Sequence, residues 1–178
     1  MSTFALEKWY QDSKCTIYSV RDDLDDVDSF TEADRFFEKF GKSKDEDILY
    51  AAQLILQFLT NEICKINGAN ELFFNRQENR ASALPFKKKK RLSKIINIDF
   101  FYDNFPLRLF CYRISDEILV IFNGDLKTAQ TVQDSKNLLM HFRNAQIYSK
   151  RIEDALRDKS IIINNNELIS EDSDEIIL

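Results

Sequence analysis

The chain has 178 residues, of which 44% are hydrophobic and 31% charged, and its net charge is -5. These values are typical of one folded domain and exclude a chain that is disordered throughout. Its three glycines, Gly41, Gly68 and Gly124, are too far apart to form a glycine-rich phosphate loop. Three isolated cysteines and one histidine offer no cluster of zinc ligands, so we expect neither a metal nor a cofactor.

The N-terminal residues and the cysteine spacing bear on the cellular compartment. Residues 1–14 contain no basic flank followed by an apolar stretch, so no secretory signal is predicted. The longest apolar run, residues 118–122, is far shorter than the ~20 residues of a membrane-spanning helix. An odd number of widely spaced cysteines argues against a disulfide framework. We therefore expect a cytoplasmic protein that does not enter a membrane.

Charged residues are unevenly distributed along the chain. Residues 1–71 carry 8 basic and 15 acidic side chains, residues 72–160 carry 17 basic and 10 acidic ones, and residues 161–178 carry 5 acidic ones alone. A basic segment between acidic flanks is typical of a surface that binds phosphates or an acidic protein partner. Alternatively, the opposite charges face each other within one fold.

The first half of the chain predicts a strand followed by two helices. Residues 15–20 favour a short strand, and residues 22–28 an acidic loop. Two amphipathic helices follow, of which the first ends at Gly41. The second begins in the polar stretch 43–47 and ends at Gly68, and its apolar residues recur at helical spacing.

The second half predicts an antiparallel run of strands. Residues 67–94 are the least regular part of the chain and predict an ordered connection with a mobile basic tip. Strands are predicted over residues 95–102, 107–113 and 117–122, with turns between them. Asn, Gly and Asp at residues 123–125 indicate a further turn.

A long helix is predicted over residues 138–158, and residues 161–178 predict either a small hairpin or an acidic tail. The order of elements predicts the α+β class, with N-terminal helices, an antiparallel sheet of about four strands, a long C-terminal helix and an acidic tail. We expect a single domain over residues 1–160, with an acidic helical part in residues 1–71 and a basic sheet-and-helix part in residues 72–160.

The second predicted strand of this run places Arg108, Phe110 and Tyr112 on one face. Aromatic rings on a sheet can stack on unpaired bases while an arginine holds a phosphate. The same pattern arises when such a face packs under a helix and Arg108 extends to the rim. Lys127 follows the predicted turn, where it either stabilises a phosphate or is simply a turn lysine.

The long helix carries two features of chemical interest. His141 lies at the border of its apolar face, where it is either a general acid or base at the edge of a cleft or a hydrogen-bonded boundary residue. A row of basic residues on nearly the opposite side can bind successive phosphates or form a solvated face. This row consists of Lys136, Arg143, Lys150 and Arg157.

Between residues 107 and 156 the order of features resembles the RelE/ParE toxin superfamily, in particular its phage-derived HigB-like branch. In that branch an arginine-bearing strand leads through a short turn into an apolar strand. A glycine-containing turn, a lysine and a helix with a small residue midway follow. The corresponding residues of this chain are Arg108, Ser115, Asp116, the run 118–122, Gly124, Lys127 and Ala145.

The resemblance implies a toxin of a toxin–antitoxin operon that cleaves mRNA on the ribosome without a metal. In that chemistry a ribose 2′-hydroxyl attacks the neighbouring phosphate. Arg108 and Lys127 would hold the phosphate and His141 would carry the proton. Its partners would be RNA or the ribosome and an antitoxin protein. The residues expected to contact nucleic acid are Arg76, Arg80, Lys87, Lys88, Lys89, Lys90, Arg91, Arg143 and Lys150.

A second hypothesis is a non-catalytic adaptor of a phage or mobile element. Such a protein would bind an acidic protein partner or nucleic acid through the basic segment. A third is a structural domain whose charges serve solubility alone. The basic run at residues 87–91 has only an electrostatic meaning in each case, because short runs of this kind are common.

Overall fold

A seven-stranded mixed sheet organises the protein, of which the computed structural model describes residues 3–96 and 102–178. Its strands in chain order are β1 (Ala5–Gln11), β2 (Thr16–Arg21), β3 (Gln77–Glu78), β4 (Ala81–Leu84), β5 (Leu107–Ser115), β6 (Ile118–Leu126) and β9 (Ile176–Ile177). Their order across the sheet is β3-β4-β5-β6-β2-β1-β9. The β2–β6 pair is parallel, and the other neighbours run antiparallel.

Three α-helices and a hairpin pack around this sheet. The helices are α1 (Glu32–Phe40), α2 (Glu46–Gln57), which continues as a π-helical segment over Phe58–Asn67, and α3 (Lys136–Asp158). The hairpin consists of β7 (Ile161–Asn164) and β8 (Glu167–Ser170), and short 3-10 turns cover Glu71–Phe73 and Leu92–Lys94. Within the described residues, no helix has the length and apolar character needed to cross a membrane.

The first two helices begin where the sequence predicts, because polar side chains cap them. The Thr31 hydroxyl accepts from the backbone N–H of Asp34, and the Asp34 carboxylate accepts from the backbone N–H of Thr31. At α2 the Asp45 carboxylate accepts from the backbone N–H groups of Asp47 and Ile48. These bonds satisfy N–H groups that have no partner inside the helix.

Two hydrophobic cores lie on opposite faces of the sheet. On β5, Leu107 and Leu109 join the core that α1, α2 and the π-helical segment cover. Phe110 and Tyr112 join the other core, which α3 and the β7–β8 hairpin cover. The alternation predicted for this strand is therefore confirmed, and the protein has three layers with the sheet in the middle.

The expected arrangement within the α+β class is wrong in three respects. Two strands, β1 and β2, precede the helices, the sheet has seven strands rather than about four, and it is mixed rather than antiparallel. Strands β3 and β9 have two residues each, too few for a pattern. The parallel pairing joins Thr16 to Ile118, and no local pattern reports a contact between such distant residues.

The turn predicted at residues 123–125 is also wrong, because β6 continues through it to Leu126. Gly124 pairs with Leu109, at a point where the β5–β6 register shifts. A Cβ atom at Gly124 would lie 1.8 Å from the carbonyl oxygen of Arg108. The glycine is therefore required by the close approach of the β5 backbone, and not by a turn.

The remaining predictions about elements differ in outcome. Most of the strand expected at residues 95–102 falls outside the described residues. The connection at residues 67–94 contains β3 and β4. Residues 161–170 form the hairpin, while β9 pairs with β1 in the main sheet. The division of the chain at residue 160 stays a prediction.

Replacing Gly124 by alanine is expected to lower the free energy of unfolding by about 1–3 kcal/mol, the usual cost of inserting an extra methyl group into tightly packed structure. The reason is the clash with the Arg108 carbonyl. Chemical denaturation checks it, with Met140→Ala as the control, because Met140 is 58% exposed and should change stability by less than ~0.5 kcal/mol. Equal stability of the two variants would contradict the steric argument.

Candidate anion-binding site

Five basic side chains converge at the end of the sheet where β5 begins and β6 ends. Two adjoining cavities, of about 230 and 200 Å³, open there. Arg76, Lys87, Arg108 and Lys127 line both, and Lys88 lines the second. We call these five residues the cationic cluster. Each of the five was predicted from the sequence to contact nucleic acid or to hold a phosphate. The fold brings them together from three separate segments of the chain.

Arg108 is the most buried member of the cluster, with 5% of its surface exposed. Its Nη1 donates to the carbonyl oxygens of Phe105 at 3.0 Å and Leu107 at 2.7 Å. Burial, and secondarily the neighbouring Arg76, lower the pKa of Arg108 to about 10. The guanidinium therefore remains charged at neutral pH.

No carboxylate of the described residues forms an ion pair with Arg108. Its cross-strand neighbour Asp125 instead accepts from Lys39 Nζ, at 3.2 and 3.1 Å. Among the described residues that line the two cavities, one is acidic. It is Asp103, and its side chain is exposed. Buried charges are normally paired, because leaving water is costly for an ion. Arg108 is thus a buried cation with which an incoming anion would form an ion pair.

Lys127 is the residue that follows β6, and its backbone N–H donates to the carbonyl oxygen of Pro106 at 2.7 Å. Burial lowers the pKa of Lys127, and the charges of Arg108 and Arg76 lower it further. The three cations are therefore close enough to repel one another. A negative ligand between them would relieve this repulsion.

Backbone contacts hold the other side of the cluster. Arg76 Nε donates to the carbonyl oxygen of Pro85 at 2.7 Å. The Asn75 side chain forms two bonds to Lys87: its Oδ1 accepts from the backbone N–H at 2.6 Å and its Nδ2 donates to the carbonyl oxygen at 3.0 Å. This amide therefore attaches the start of the basic run 87–91 beside the cavities. Asn75 was not a sequence candidate, because nothing in its local pattern indicates such a bond.

Within residues 3–96 and 102–178, no ion pair joins Lys87, Arg108 or Lys127 to an acidic side chain. Among the ion pairs between described residues, Lys39–Asp125 is the one that joins residues 1–71 to residues 72–160. In that pair the acidic flank contributes the base. The ion pairs between described residues therefore do not support the alternative in which the acidic flanks neutralise the basic segment.

His141 lines neither cavity of the cluster. Its Nε2 lies 3.7 Å from Asp125 Oδ2, and its Nδ1 is buried without a hydrogen-bond partner. Burial lowers the pKa of His141 more than the nearby Asp125 raises it. The structure therefore joins Arg108 to Lys127 as expected but places the histidine in a different set of contacts, with Asp125 and Lys39.

The remaining candidates lie outside the cluster. Arg80 Nε pairs with Glu153 at 2.7 Å, and Lys150 Nζ pairs with Asp154 at 2.5 Å. Arg143 is exposed on α3. Lys89 and Arg91 line a different and larger cavity together with Arg80. Lys90 lines neither that cavity nor the two cavities of the cluster. Within residues 3–96 and 102–178, no three His, Cys, Asp or Glu side chains gather closely enough to hold a metal ion.

The environment of His141 predicts a pH dependence of stability. Its lowered pKa means that the unfolded chain takes up a proton at a higher pH than the folded chain does. Stability is therefore expected to fall as the pH falls through the unfolded pKa of ~6.5. Denaturation of the wild type and of His141→Gln at several pH values between about 7 and 5 checks it. The wild type should lose more stability than the variant, and parallel profiles would contradict the assignment.

Comparison of the chain with protein-family models, with curated proteins and with solved structures finds no match. The resemblance to the RelE/ParE superfamily therefore stays a prediction, as do the roles that it implies for Arg108, Lys127 and His141. Any function has to be argued from the geometry of the cationic cluster itself.

Proposed function

We propose that the chain binds RNA through the cationic cluster, with one backbone phosphate held between Arg76, Arg108 and Lys127. The observation that supports this most is Arg108, a buried guanidinium with no carboxylate partner among the described residues. A phosphate group offers several oxygens to donors that approach from different directions. The cluster has that arrangement, since its members come from β5, from the end of β6 and from residues 76–88.

The surroundings of the cavities favour a polymeric anion over a small free one. Lys87 and Lys88 are exposed at the rim, and the basic run continues from them to Arg91. Exposed lysines beside a phosphate site add affinity for neighbouring phosphates through the release of counterions. The segregation of charge gives this end of the protein a positive field that attracts a polyanion.

Lys127→Gln is expected to weaken binding of a short single-stranded RNA and to lower the slope of log K against log salt by about 1, as expected for the loss of one phosphate contact. Fluorescence anisotropy over a range of salt concentrations measures both quantities. Lys44→Gln is the matched control, because it removes the same charge from an exposed position outside the cluster. Its affinity should differ little from that of the wild type.

Two results would overturn the proposal. One is equal weakening by Lys127→Gln and Lys44→Gln, which would mean that net charge alone matters. The other is binding of an acidic protein with little affinity for RNA, which would favour the adaptor hypothesis.

RNA cleavage without a metal is a second candidate function, and the presence of both Lys127 and Arg108 in the same cavities favours it. Two cations at one phosphate can stabilise the charge that develops when a 2′-hydroxyl attacks. His141, the proton carrier that the resemblance implies, lines neither cavity of the cluster. This candidate therefore also needs a group within hydrogen-bond reach of the phosphate that moves the proton.

Expression of the chain without a partner tests cleavage. If the chain is a ribonuclease of this kind, the wild type should slow growth and Lys127→Ala should restore it, because charge stabilisation at the phosphate is lost. Purified wild-type protein should then cut RNA in the presence of a chelator. Unimpaired growth with both proteins, or cleavage that the chelator abolishes, would count against it.

A further inference from the structure

A cavity of about 500 Å³, larger than either cavity of the cationic cluster, is lined in part by Lys89 and Arg91 of the basic run. This volume is within the ~300–1,000 Å³ typical of ligand sites. Apolar side chains, cations, the carboxylate of Glu71 and the aromatic rings of Phe74 and Tyr112 line it together. The lining residues that matter here are Leu72, Phe74, Arg80, Lys89, Arg91, Leu92, Tyr112 and Arg113. We call this cavity the Tyr112 groove.

Tyr112 lies on the same face of β5 as Arg108, four residues farther along the strand. Four residues of strand span ~13 Å, so an oligonucleotide of a few residues can reach both. The ring is half-buried against the core under α3. Tyr112 also lines the groove, so part of its side chain is exposed there.

Fixed and unpaired cations flank this ring. Arg80 is held by Glu153, and Arg113 Nε donates to the carbonyl oxygen of Ala69 at 2.6 Å. Lys89 and Arg91 are exposed and form no ion pair with described residues. Leu72, Phe74 and Leu92 supply an apolar wall. A ring, an apolar wall and nearby cations form the combination with which proteins bind unstacked bases of single-stranded nucleic acid.

The basic run connects the groove to the cationic cluster. Lys87 and Lys88 line the cavities of the cluster, and Lys89 and Arg91 line the groove. The two bonds from Asn75 hold Lys87 in place at the start of this run. One strand of nucleic acid can therefore follow the run from one cavity to the other without leaving positively charged surface.

We propose that the Tyr112 groove is a nucleobase subsite, in which the ring of Tyr112 stacks on a base of a single-stranded RNA whose phosphate occupies the cationic cluster. This inference rests on the proposed function. A single strand is required because the bases of a duplex are stacked on one another and do not enter a groove. Stacking on one ring tolerates any base, so the subsite recognises unpaired RNA and not a particular sequence.

The test compares two probes of equal length, a single-stranded hexanucleotide RNA and an abasic ribose-phosphate hexamer. Tyr112→Leu is expected to weaken the RNA about tenfold, in the range for loss of one base–aromatic stack, and to change the abasic probe less than twofold. Tyr112→Phe is the matched control: it keeps the ring and should bind RNA as the wild type does. Lys127→Gln should weaken both probes alike, because both carry phosphates.

The outcomes separate this inference from the proposed function. If the wild type binds both probes equally well, or if Tyr112→Leu weakens both equally, the subsite does not exist although phosphate binding stands. If the wild type binds neither probe, the proposed function fails and the subsite fails with it. Thermal melting of each variant verifies folding.

A measurement on the wild type covers the case in which Tyr112→Leu does not fold. Photo-crosslinking with an RNA that carries 4-thiouridine should attach the base to the peptide containing Tyr112. Crosslinks confined to Lys87, Lys88 and the peptide containing Lys127 would overturn the inference, because these residues line the cavities of the cluster and the base would then lie outside the groove.

Discussion

The burial of the Arg108 guanidinium is the constraint on which the site depends. The close approach of β5 to Gly124, beside the register shift, sets Arg108 opposite Asp125. That carboxylate is taken by Lys39 and lies near His141, so it leaves Arg108 to backbone carbonyls. Carbonyl oxygens satisfy donors but cancel no charge. The positive charge of Arg108 is therefore not cancelled by these bonds, and it repels Lys127 and attracts an anion.

The arrangement of ion pairs explains why this charge survives in an acidic protein. Lys8–Glu167 and Arg21–Glu7 join acidic flanks to bases of those same flanks. Arg80–Glu153 and Lys150–Asp154 use the acids of the basic segment. Most ion pairs between described residues therefore form within the basic segment or among the acidic flanks, and Lys39–Asp125 is the one that joins the two.

Local patterns in the sequence predict the elements that are governed by local physics. The end of α1 at Gly41, the start of α2 in the polar stretch 43–47 and the alternation along β5 could be predicted directly, because each depends on neighbouring residues. The parallel pairing of β2 with β6 could not, because it depends on contacts between distant segments. The same distinction holds for Gly124, whose role is set by another strand, so that a turn is the natural but wrong interpretation.

The candidate site follows the same rule. Basic residue types and their segment could be predicted, but which of them meet could not, since Arg76, Arg108 and Lys127 converge only through the sheet. His141 shows the opposite outcome: it lies fourteen residues from Lys127 in sequence, yet it contacts Asp125 in a separate set of residues. Its acid–base role therefore stays a prediction that the lining of the two cavities does not support.

The absence of a proton carrier among the cluster residues distinguishes binding from catalysis. Cations that hold a phosphate equally well before and during a reaction increase affinity without increasing the rate. Acceleration requires that Arg108 and Lys127 bind the pentacovalent state more strongly, and that a group within hydrogen-bond reach moves the proton. Arg108 and Lys127 line both cavities, where they can stabilise the charge of the pentacovalent state. His141 does not line them. Phosphate binding needs the cluster residues alone, whereas cleavage also needs a group that moves the proton.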